Sequence, residues 1–335
     1  MMGDPMSAET MRAWVFDDHG VGGSSDVPRP GVARGQVLVR IRASGVNPLD
    51  LKIRAGAAPH ARQPLPAILG MDFAGVVEEV GEGVESFNAG DEVYGMAGGV
   101  GGIQGSLAQF AAVDARLIAP KPRTLSMHDA ASLPLAFITA WEGLVDRADL
   151  QAGQTLLVLG AAGGVGHVVV QIARALGAEV YGVDGVAKAS FLQGLGATPI
   201  DRNEDVQAYV DRHAAGRGFD MVYDTVGGAA LDGAFSAVGR FGHVVSALGW
   251  GTHALAPLSF KAASYSGVFA LLPLLTGEGR AHHGAILRRA TAMIERGDLI
   301  PRVDPRGFGL DGVDEAHQAL ASRTASGKIV IDIDS

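Results

Sequence analysis

The chain has no cysteine among its 335 residues. Disulfides, iron–sulfur clusters, thiolate nucleophiles and cysteine-ligated zinc are therefore excluded. Positive charge is also scarce, because 27 lysines and arginines face 36 aspartates and glutamates, for a formal charge of −9. That sign repels phosphate backbones, so we do not expect a nucleic acid as a partner, although a local basic pocket for one phosphate stays open. No apolar run reaches about 18 residues without charge or frequent glycine, so we expect no membrane span.

Apolar residues and glycine are abundant. Hydrophobic residues make up 47% of the chain, which excludes intrinsic disorder. At about 150 residues per domain, the length predicts two domains. The 48 glycines cluster in short turns between apolar runs. Met1–Thr10 lacks the basic start and the apolar stretch of a signal peptide, so we expect a soluble, cytoplasmic protein.

The chain up to about Pro120 is β-rich. Short runs of β-branched and alternating residues, separated by glycine-rich turns, predict a compact, barrel-like β unit. The predicted strands are Met11–Phe16, Gln36–Ser44, Asp72–Val80, Gly90–Tyr94 and Leu107–Val113. The glycine-rich segment Met96–Gly105 is either a lid over a substrate or a variable connection.

From Ser126 onward, strands and helices alternate. Met127–Asp146 has the apolar spacing of a helix, with Ser126 as its N-cap and a break at Pro134. The apolar run Thr155–Leu159 is typical of a central parallel strand. The other predicted helices are Val165–Leu176, Ala187–Leu195, Arg288–Arg296 and Val313–Ala321, and the other predicted strands are Glu179–Val183, Met221–Asp224, His243–Leu248 and Lys328–Ile333. This alternation predicts an α/β fold with a doubly wound parallel sheet.

The most informative motif is GAAGGVG at Gly160–Gly166, between a predicted strand and a predicted helix. A bound pyrophosphate needs the free N–H groups and the positive dipole end of a helix, with no side chain in the way. Ala161, Ala162, Gly163 and Gly164 have little bulk, and Gly166 lets the helix pack close to the sheet. The alternative is a tight structural turn, but this strand and helix context favours dinucleotide binding.

Two residues of opposite charge near the end of the next strand bear on the choice of cofactor. The carboxylate of Asp184 would accept hydrogen bonds from both ribose hydroxyls and repel a 2′-phosphate, which favours NAD(H). Lys188 follows four residues later and would pair with the 2′-phosphate of NADP(H). The sequence leaves the preference between NADP(H) and NAD(H) undecided.

Seven motifs are distributed along the chain. They are GVNPLD at Gly45–Asp50, LGMDFAG at Leu69–Gly75, GDEVYG at Gly90–Gly95, TAW at Thr139–Trp141, GAAGGVG at Gly160–Gly166, DTVGG at Asp224–Gly228 and GKIV at Gly327–Val330. Together they resemble those of the medium-chain dehydrogenase/reductase superfamily, which includes the zinc-containing alcohol dehydrogenases. Within it, the chain resembles the zinc-free quinone oxidoreductase branch, to which zeta-crystallin belongs. The resemblance runs from Met11 to Ile333.

The resemblance implies two domains with a cofactor cleft at their junction. Residues 1–125 and 277–335 would form a GroES-like β-barrel domain from both chain ends. Residues 126–276 would form a Rossmann domain. The implied partners are a small-molecule electrophile (a quinone, an enone or a carbonyl compound) and a second copy of the chain in a homodimer.

A comparison with the zinc-dependent branch of this superfamily predicts that the chain holds no zinc. Those enzymes ligate catalytic zinc through a cysteine, a Gly-His-Glu motif and a later cysteine. The first position falls at Asn47-Pro48 in this chain, the second reads Gly70-Met71-Asp72, and no cysteine is present. The one close histidine pair, His282-His283, points apart on a helix. Without a Lewis acid, a substrate with its own electrophilic carbon is favoured.

The resemblance implies a role for individual residues. Asn47 matches the asparagine whose side chain lies by the nicotinamide, and Thr139 matches a residue lining the same ring. The other cofactor-binding candidates are the turn Gly160, Ala161, Ala162, Gly163, Gly164, Val165 and Gly166, the adenosine-end residues Asp184 and Lys188, the next turn Thr225 and Val226, and the strand end Ala247, Leu248 and Gly249.

The proton donor is less well defined. Many quinone-reducing relatives place a tyrosine five residues after the asparagine, where this chain has Lys52. The candidate donors are Lys52 and Tyr94, and the alternatives are a surface lysine and a packing residue. Asp50 and Asp72 are either paired catalytic carboxylates or hydrogen-bonded structural aspartates, and we favour the second interpretation.

Three functions are consistent with the sequence. The first is a zinc-independent NAD(P)H-dependent reductase of quinones or activated alkenes. The second is a reductase of carbonyl compounds or enoyl thioesters that uses the same cofactor. The third is a non-catalytic NAD(P)H-binding protein. The intact glycine turn and Asn47 favour an enzyme.

Overall fold

The structure is a computed structural model that describes residues 9–333. Most of Met1–Thr10, the segment that lacks the features of a signal peptide, lies outside the described residues. The strands are β1 (Thr10–Phe16), β2 (Gly22–Pro28), β3 (Gln36–Gly45), β4 (Ala67–Ile68), β5 (Asp72–Val80), β6 (Glu92–Met96), β7 (Phe110–Asp114), β8 (Ile118–Pro120), β9 (Thr155–Leu159), β10 (Glu179–Asp184), β11 (Thr198–Asp201), β12 (Phe219–Asp224), β13 (Val238–Ser246), β14 (Ser264–Gly267), β15 (Phe308–Gly309) and β16 (Val330–Asp332).

The helices range from four residues in α8 to sixteen in α10. They are α1 (Pro48–Arg54), α2 (Met127–Ala131), α3 (Pro134–Trp141), α4 (Gly166–Ala175), α5 (Ala189–Gly194), α6 (Val206–Ala214), α7 (Ala229–Ala237), α8 (Ala256–Ser259), α9 (Leu272–Thr276), α10 (Arg280–Glu295) and α11 (Val313–Ala321). A π-helical segment, Glu142–Arg147, continues α3. Short 3₁₀ turns lie at Pro59–Ala61, Ala115–Leu117, Val186–Lys188 and Leu310–Gly312.

The chain divides into two compact units. Within residues 9–333, unit 1 comprises the residues up to Leu135, Leu271–Glu295 and the residues from Ile300 onward, and unit 2 comprises Ala136–Ala270 with Arg296–Leu299. The sequence predicted domain boundaries after residues 125 and 276, and the structure divides the chain ten residues later, after Leu135, and six residues earlier, after Ala270.

Unit 1 is built on two β-sheets that draw on both ends of the chain. One sheet has the order β2-β1-β4, and the other has the order β15-β16-β3-β5-β6-β8, with β7 also paired to β3. The C-terminal strand β16 pairs antiparallel with β3, placing Val330 opposite Gly45, and β5 on the other side of β3 places Asp72 opposite the same glycine. This register brings residues from three distant parts of the chain to one point.

Unit 2 is a six-stranded parallel sheet with the order β11-β10-β9-β12-β13-β14. The central run Leu156–Val158 is fully buried, as expected for a strand covered on both faces. Within this sheet the first strand in the sequence is β9, and the next two, β10 and β11, lie to one side of it. The strands β12, β13 and β14 lie to the other side, so the strand order reverses between β9 and β12. In such sheets a dinucleotide binds at the carboxyl ends of the strands, at this switch point. The predicted doubly wound α/β fold is confirmed.

The break at Pro134 and the N-cap at Ser126 are as predicted. Pro134 divides the helix Met127–Asp146 into α2 and α3, and Ser126 caps α2 by accepting a hydrogen bond from Asp129 N–H. Other element boundaries differ from the prediction. The helix α10 begins at Arg280, not at Arg288, because His283, Gly284 and Ile286 in its first half are buried despite their weak helical pattern. The strand β2 was missed, since its sequence GGSSDVP resembles a turn and only pairing with β1 makes it a strand.

No helix within residues 9–333 is long and apolar enough to span a membrane.

Candidate functional site

The glycine turn of unit 2 brings three segments of backbone into close contact. Gly160 has φ +73°, and a Cβ there would lie 2.6 Å from Oγ1 of Thr225. A Cβ on Gly166 would lie 2.1 Å from the carbonyl oxygen of Gly160. The start of α4 can therefore approach β9 this closely only with glycine at both positions.

The N-terminus of α4 presents unpaired donors. Within the described residues, the backbone N–H groups of Gly164, Val165 and Gly166 have no hydrogen-bond partner, whereas that of Gly163 donates to Gly160 O. Gly163 and Gly164 are exposed, so no side chain covers these donors. Free N–H groups at the positive end of a ten-residue helix fit a pyrophosphate. The predicted turn therefore has the shape and the donors that a dinucleotide requires.

Asp184, at the end of β10, has both carboxylate oxygens engaged by the backbone. Its Oδ2 accepts a hydrogen bond from Ala162 N–H at 2.9 Å, and its Oδ1 accepts one from Gly185 N–H at 2.8 Å. A Cβ on Gly185 would lie 3.0 Å from Nη2 of Arg202, so this guanidinium lies over Gly185. Neither Arg202 nor the half-buried Lys188 forms an ion pair with any described residue. Sequence reasoning missed Arg202, which follows β11 and approaches Asp184 only because β10 and β11 pair.

The carboxyl ends of β12 and β13 are held by a buried aspartate that sequence reasoning did not select. Asp224 is fully buried and accepts hydrogen bonds from Val226 N–H and Gly227 N–H, and from the hydroxyl of Ser246 at 2.7 Å. The Ser246 hydroxyl in turn accepts from Leu248 N–H at 3.0 Å. This network fixes the candidates Thr225 and Val226 beside the candidates Ala247, Leu248 and Gly249. The DTVGG motif contained the signal, since it begins with this aspartate.

Thr139 lies on α3, and its side chain is buried. Its carbonyl oxygen accepts a hydrogen bond from the hydroxyl of Tyr223 at 2.6 Å, which ties α3 to β12. Among the described residues, its side chain makes no hydrogen bond to the glycine turn.

Unit 1 contains a buried polar cluster formed by Asn47, Asp50, Asp72 and Lys328, each no more than 8% exposed. Asn47 Nδ2 donates to Asp72 Oδ2 at 2.9 Å, and Asn47 Oδ1 accepts from the ammonium group of Lys328. Lys328 Nζ also donates to Val46 O at 3.0 Å and lies 3.8 Å from Asp72 Oδ2. Asp50 Oδ2 accepts from the backbone N–H of Asn47 at 2.8 Å. The cluster therefore fixes the orientation of the Asn47 carboxamide.

Burial controls the electrostatics of this cluster. It raises the pKa of Asp50 to about 7, an effect that the charge of Asp72 reinforces. Burial also raises the pKa of Asp72 to about 6, although the nearby charge of Lys328 opposes the shift. The pKa of Lys328 is lowered by burial, while both carboxylates oppose that change. The charge of Lys328 therefore lowers the pKa of both aspartates against the effect of burial, and the aspartates belong to a hydrogen-bonded cluster rather than to a bare carboxylate pair.

Neither predicted proton donor joins this cluster through its side chain. Tyr94 is fully buried, and its hydroxyl donates to Leu287 O at 2.8 Å on α10. Burial raises its pKa above the ordinary value, and the bond to Leu287 O joins the hydroxyl to α10. Lys52 is exposed on α1. These are the placements expected of a packing tyrosine and a surface lysine, and the role of either residue as a proton donor stays a prediction.

The segment Met96–Gly105 is tied to the body of unit 1. Gly101 N–H donates to Ala61 O at 2.9 Å, and Gly105 N–H donates to Ile68 O at 2.9 Å. A Cβ on Gly105 would lie 2.2 Å from Leu69 O. The glycines therefore permit close packing, and the geometry favours a connection over a lid.

A zinc ion does not fit the residues of the cluster. Within residues 9–333 there is no group of three or more His, Cys, Asp or Glu side chains that could hold a metal. At the positions where zinc-dependent relatives carry ligands, the chain places an amide, a methionine and an aspartate, and the ammonium group of Lys328 already binds the asparagine. Zinc prefers thiolate, imidazole and carboxylate ligands, not an amide beside a cation.

Comparisons with known proteins agree with this architecture. Residues 33–123 match the family described as alcohol dehydrogenase GroES-like domain, and residues 195–331 match the family described as zinc-binding dehydrogenase. The chain is 36% identical to the 2-methylene-furan-3-one reductase of Solanum lycopersicum, over 96% of this chain and 79% of the relative. It is 34% identical to a chloroplastic NADPH-dependent alkenal/one oxidoreductase of Arabidopsis thaliana, over 98% of this chain and 81% of the relative.

One solved structure has a higher sequence identity to this chain than these two relatives. The crystal structure of an alcohol dehydrogenase superfamily protein from Novosphingobium aromaticivorans has a TM-score of 0.95 and 57% sequence identity, covering 97% of this chain and 100% of that chain.

Proposed function

Because the chain belongs to the medium-chain dehydrogenase/reductase superfamily of NAD(P)H-dependent oxidoreductases, we propose that it reduces the carbon–carbon double bond of α,β-unsaturated aldehydes and ketones with NADPH and without zinc. The observation that carries this proposal is the pair of relatives at 36% and 34% identity, whose names specify a methylene-furanone and alkenal/one substrates. Both align with almost the whole chain.

An α,β-unsaturated carbonyl substrate is compatible with a site that holds a nicotinamide cofactor and no metal. A carbon–carbon double bond conjugated to a carbonyl has an electrophilic β-carbon, so it accepts hydride without a Lewis acid. NADPH, when bound, supplies the hydride from its nicotinamide. The free N–H groups of Gly164, Val165 and Gly166 would hold its pyrophosphate. Hydride would add to the β-carbon and a proton from water to the α-carbon, so that the C=C bond becomes a single bond and the products are a saturated carbonyl compound and NADP⁺.

The test is initial-rate oxidation of NADPH with an acceptor panel of an enal, an enone, a quinone and a saturated aldehyde, with and without a metal chelator. We expect chelator-insensitive turnover of the enal and the enone, with the saturated carbonyl compound as the product. Turnover of the quinone or the saturated aldehyde alone would replace the proposed substrate class. NADPH binding without any turnover would favour the non-catalytic alternative, and chelator-sensitive turnover would overturn the zinc-free mechanism.

We propose that Arg202 and Lys188 select NADPH over NADH. The carboxylate of Asp184 already accepts two backbone hydrogen bonds, and the Arg202 guanidinium, which lies over the adjacent Gly185, has no ion-pair partner among the described residues. Charge-assisted hydrogen bonds to a 2′-phosphate contribute about 1.5–3 kcal/mol. We therefore expect Arg202→Ala to raise KM for NADPH by about tenfold or more, with KM for NADH unchanged.

The matched control is Arg217→Ala, because Arg217 is also exposed but precedes β12 at the amino end of the sheet. Steady-state KM values for both cofactors measure the effect. Equal changes in KM for NADPH and for NADH in Arg202→Ala would show that Arg202 does not bind the 2′-phosphate.

A further inference from the structure

The segment Ala247–Leu255, which we name the β13 loop, follows the carboxyl end of β13 and precedes α8. It begins with the candidates Ala247, Leu248 and Gly249. In a doubly wound sheet the dinucleotide lies across the switch point, and the second set of strands, β12 to β14 in this chain, supports its second half. The conformation of the β13 loop therefore matters at the nicotinamide end.

The beginning of the loop is fixed by the sheet. Leu248 N–H donates to the Ser246 hydroxyl, which in turn donates to the buried Asp224. A Cβ on Gly249 would lie 2.0 Å from the hydroxyl of Tyr265 on β14, so only glycine allows the chain to pass over that hydroxyl. These contacts end at Gly249.

The far end of the loop is held by a histidine. Nδ1 of His253 lies 2.8 Å from Oδ1 of Asp232, in the first turn of α7. The His253 side chain is only 11% exposed, and its ring packs edge-on against Phe235 with the ring centroids 6.2 Å apart. Between the two anchors lie Trp250, which is 53% exposed and packs edge-on against Phe269 with the ring centroids 6.1 Å apart, and Gly251, with φ +120°. The contact of His253 with Asp232 thus fixes the end of the loop next to α8.

We infer that His253 is a positioning residue, whose pairing with Asp232 holds the β13 loop in the conformation that receives the nicotinamide half of the cofactor. This inference rests on the proposed function for its ligand, but the contact between loop and helix is a property of the chain itself. His253 is the one titratable residue in the sequence of the loop, so no other loop side chain can supply an ionic contact to α7.

The pairing is ionic when His253 is protonated. Asp232 on α7 raises the pKa of His253, burial opposes this, and Asp224 at the end of β12 adds to the increase. The other groups that face the ring, Phe235 and the backbone of Trp250, are uncharged. Since the folded-state pKa is raised, the ionic contribution is complete below the ordinary pKa of histidine and is lost as pH rises through the raised value.

The test compares His253→Ala with His253→Asn, because the asparagine amide retains a donor near the position of Nδ1. Fluorescence titration gives Kd for NADPH and for 2′,5′-ADP, which carries only the adenosine end. Hydrogen exchange reports opening of residues 247–255. For His253→Ala we expect about a fivefold increase in Kd for NADPH, no change for 2′,5′-ADP, and faster exchange in the loop. His253→Asn should restore most of the affinity and protection.

Over the range in which His253 loses its proton, the wild-type Kd for NADPH should rise relative to the Kd of His253→Ala, because both proteins share every other titrating group, including the 2′-phosphate of NADPH. Unchanged exchange and unchanged Kd in His253→Ala would overturn the inference. If the wild-type chain bound no NADPH, the proposed function would fail, yet the exchange measurement would still decide whether His253 anchors the loop.

Discussion

Replacing Lys328 by methionine is expected to lower the free energy of unfolding by about 3–5 kcal/mol, because it leaves a buried aspartate without its compensating charge. Lys328 is 8% exposed, and its ammonium group contacts the Asn47 carboxamide, Val46 O and Asp72. Methionine retains most of the length of the aliphatic chain, so the loss is mainly electrostatic and not a loss of packing volume. Urea unfolding followed by circular dichroism measures the change.

The chain offers a matched control for this substitution. Lys52→Met removes the same group from α1, five residues after Asn47, but Lys52 is exposed. Its effect should be within about 0.5 kcal/mol. The double variant Lys328→Met/Asp72→Asn should recover part of the loss, because it removes the uncompensated charge and preserves shape. Equal effects of the two lysine substitutions would mean that Lys328 carries no special electrostatic role.

This cluster also shows where prediction from the sequence ends. Asp50, Asp72 and Lys328 could each be noticed in a motif, but no spacing rule places them together. Their contact depends on the register of three strands, in which β5 and β16 both place a residue opposite Gly45 of β3. Such long-range pairing depends on tertiary packing, so the sequence left the paired and the structural interpretations of the aspartates open.

The glycine turn was predictable because its determinants are local. The strand β9 and the helix α4 lie directly beside the motif, and the predicted bounds Thr155–Leu159 coincide with the strand. Arg202 and His253 lacked such a local signal. Arg202 approaches Asp184 through the pairing of β10 with β11, and His253 meets Asp232 through the packing of a loop on α7.

The second large effect is expected at the glycine turn itself. Replacing Gly166 by alanine adds a Cβ 2.1 Å from Gly160 O and 2.8 Å from Cα of Ala161, both backbone atoms that cannot rotate away. The start of α4 must then move from β9, and the free N–H groups of Gly164, Val165 and Gly166 move with it. Overpacking of this kind costs about 1–3 kcal/mol, so we expect the Kd of NADPH to rise about 10–100-fold.

Gly194→Ala is the matched control, because this glycine ends α5 in the same unit and a Cβ there meets nothing within 4 Å. It should bind NADPH like the unmodified chain, and alanine at a helix end should leave stability unchanged or slightly increased. Fluorescence titration with NADPH and with 2′,5′-ADP measures both variants. Because the 5′-phosphate of 2′,5′-ADP corresponds to one phosphate of the pyrophosphate and would approach the same helix end, Gly166→Ala should weaken the binding of both ligands. A loss confined to NADPH would place the damage at the nicotinamide end and contradict a phosphate-binding role for the start of α4.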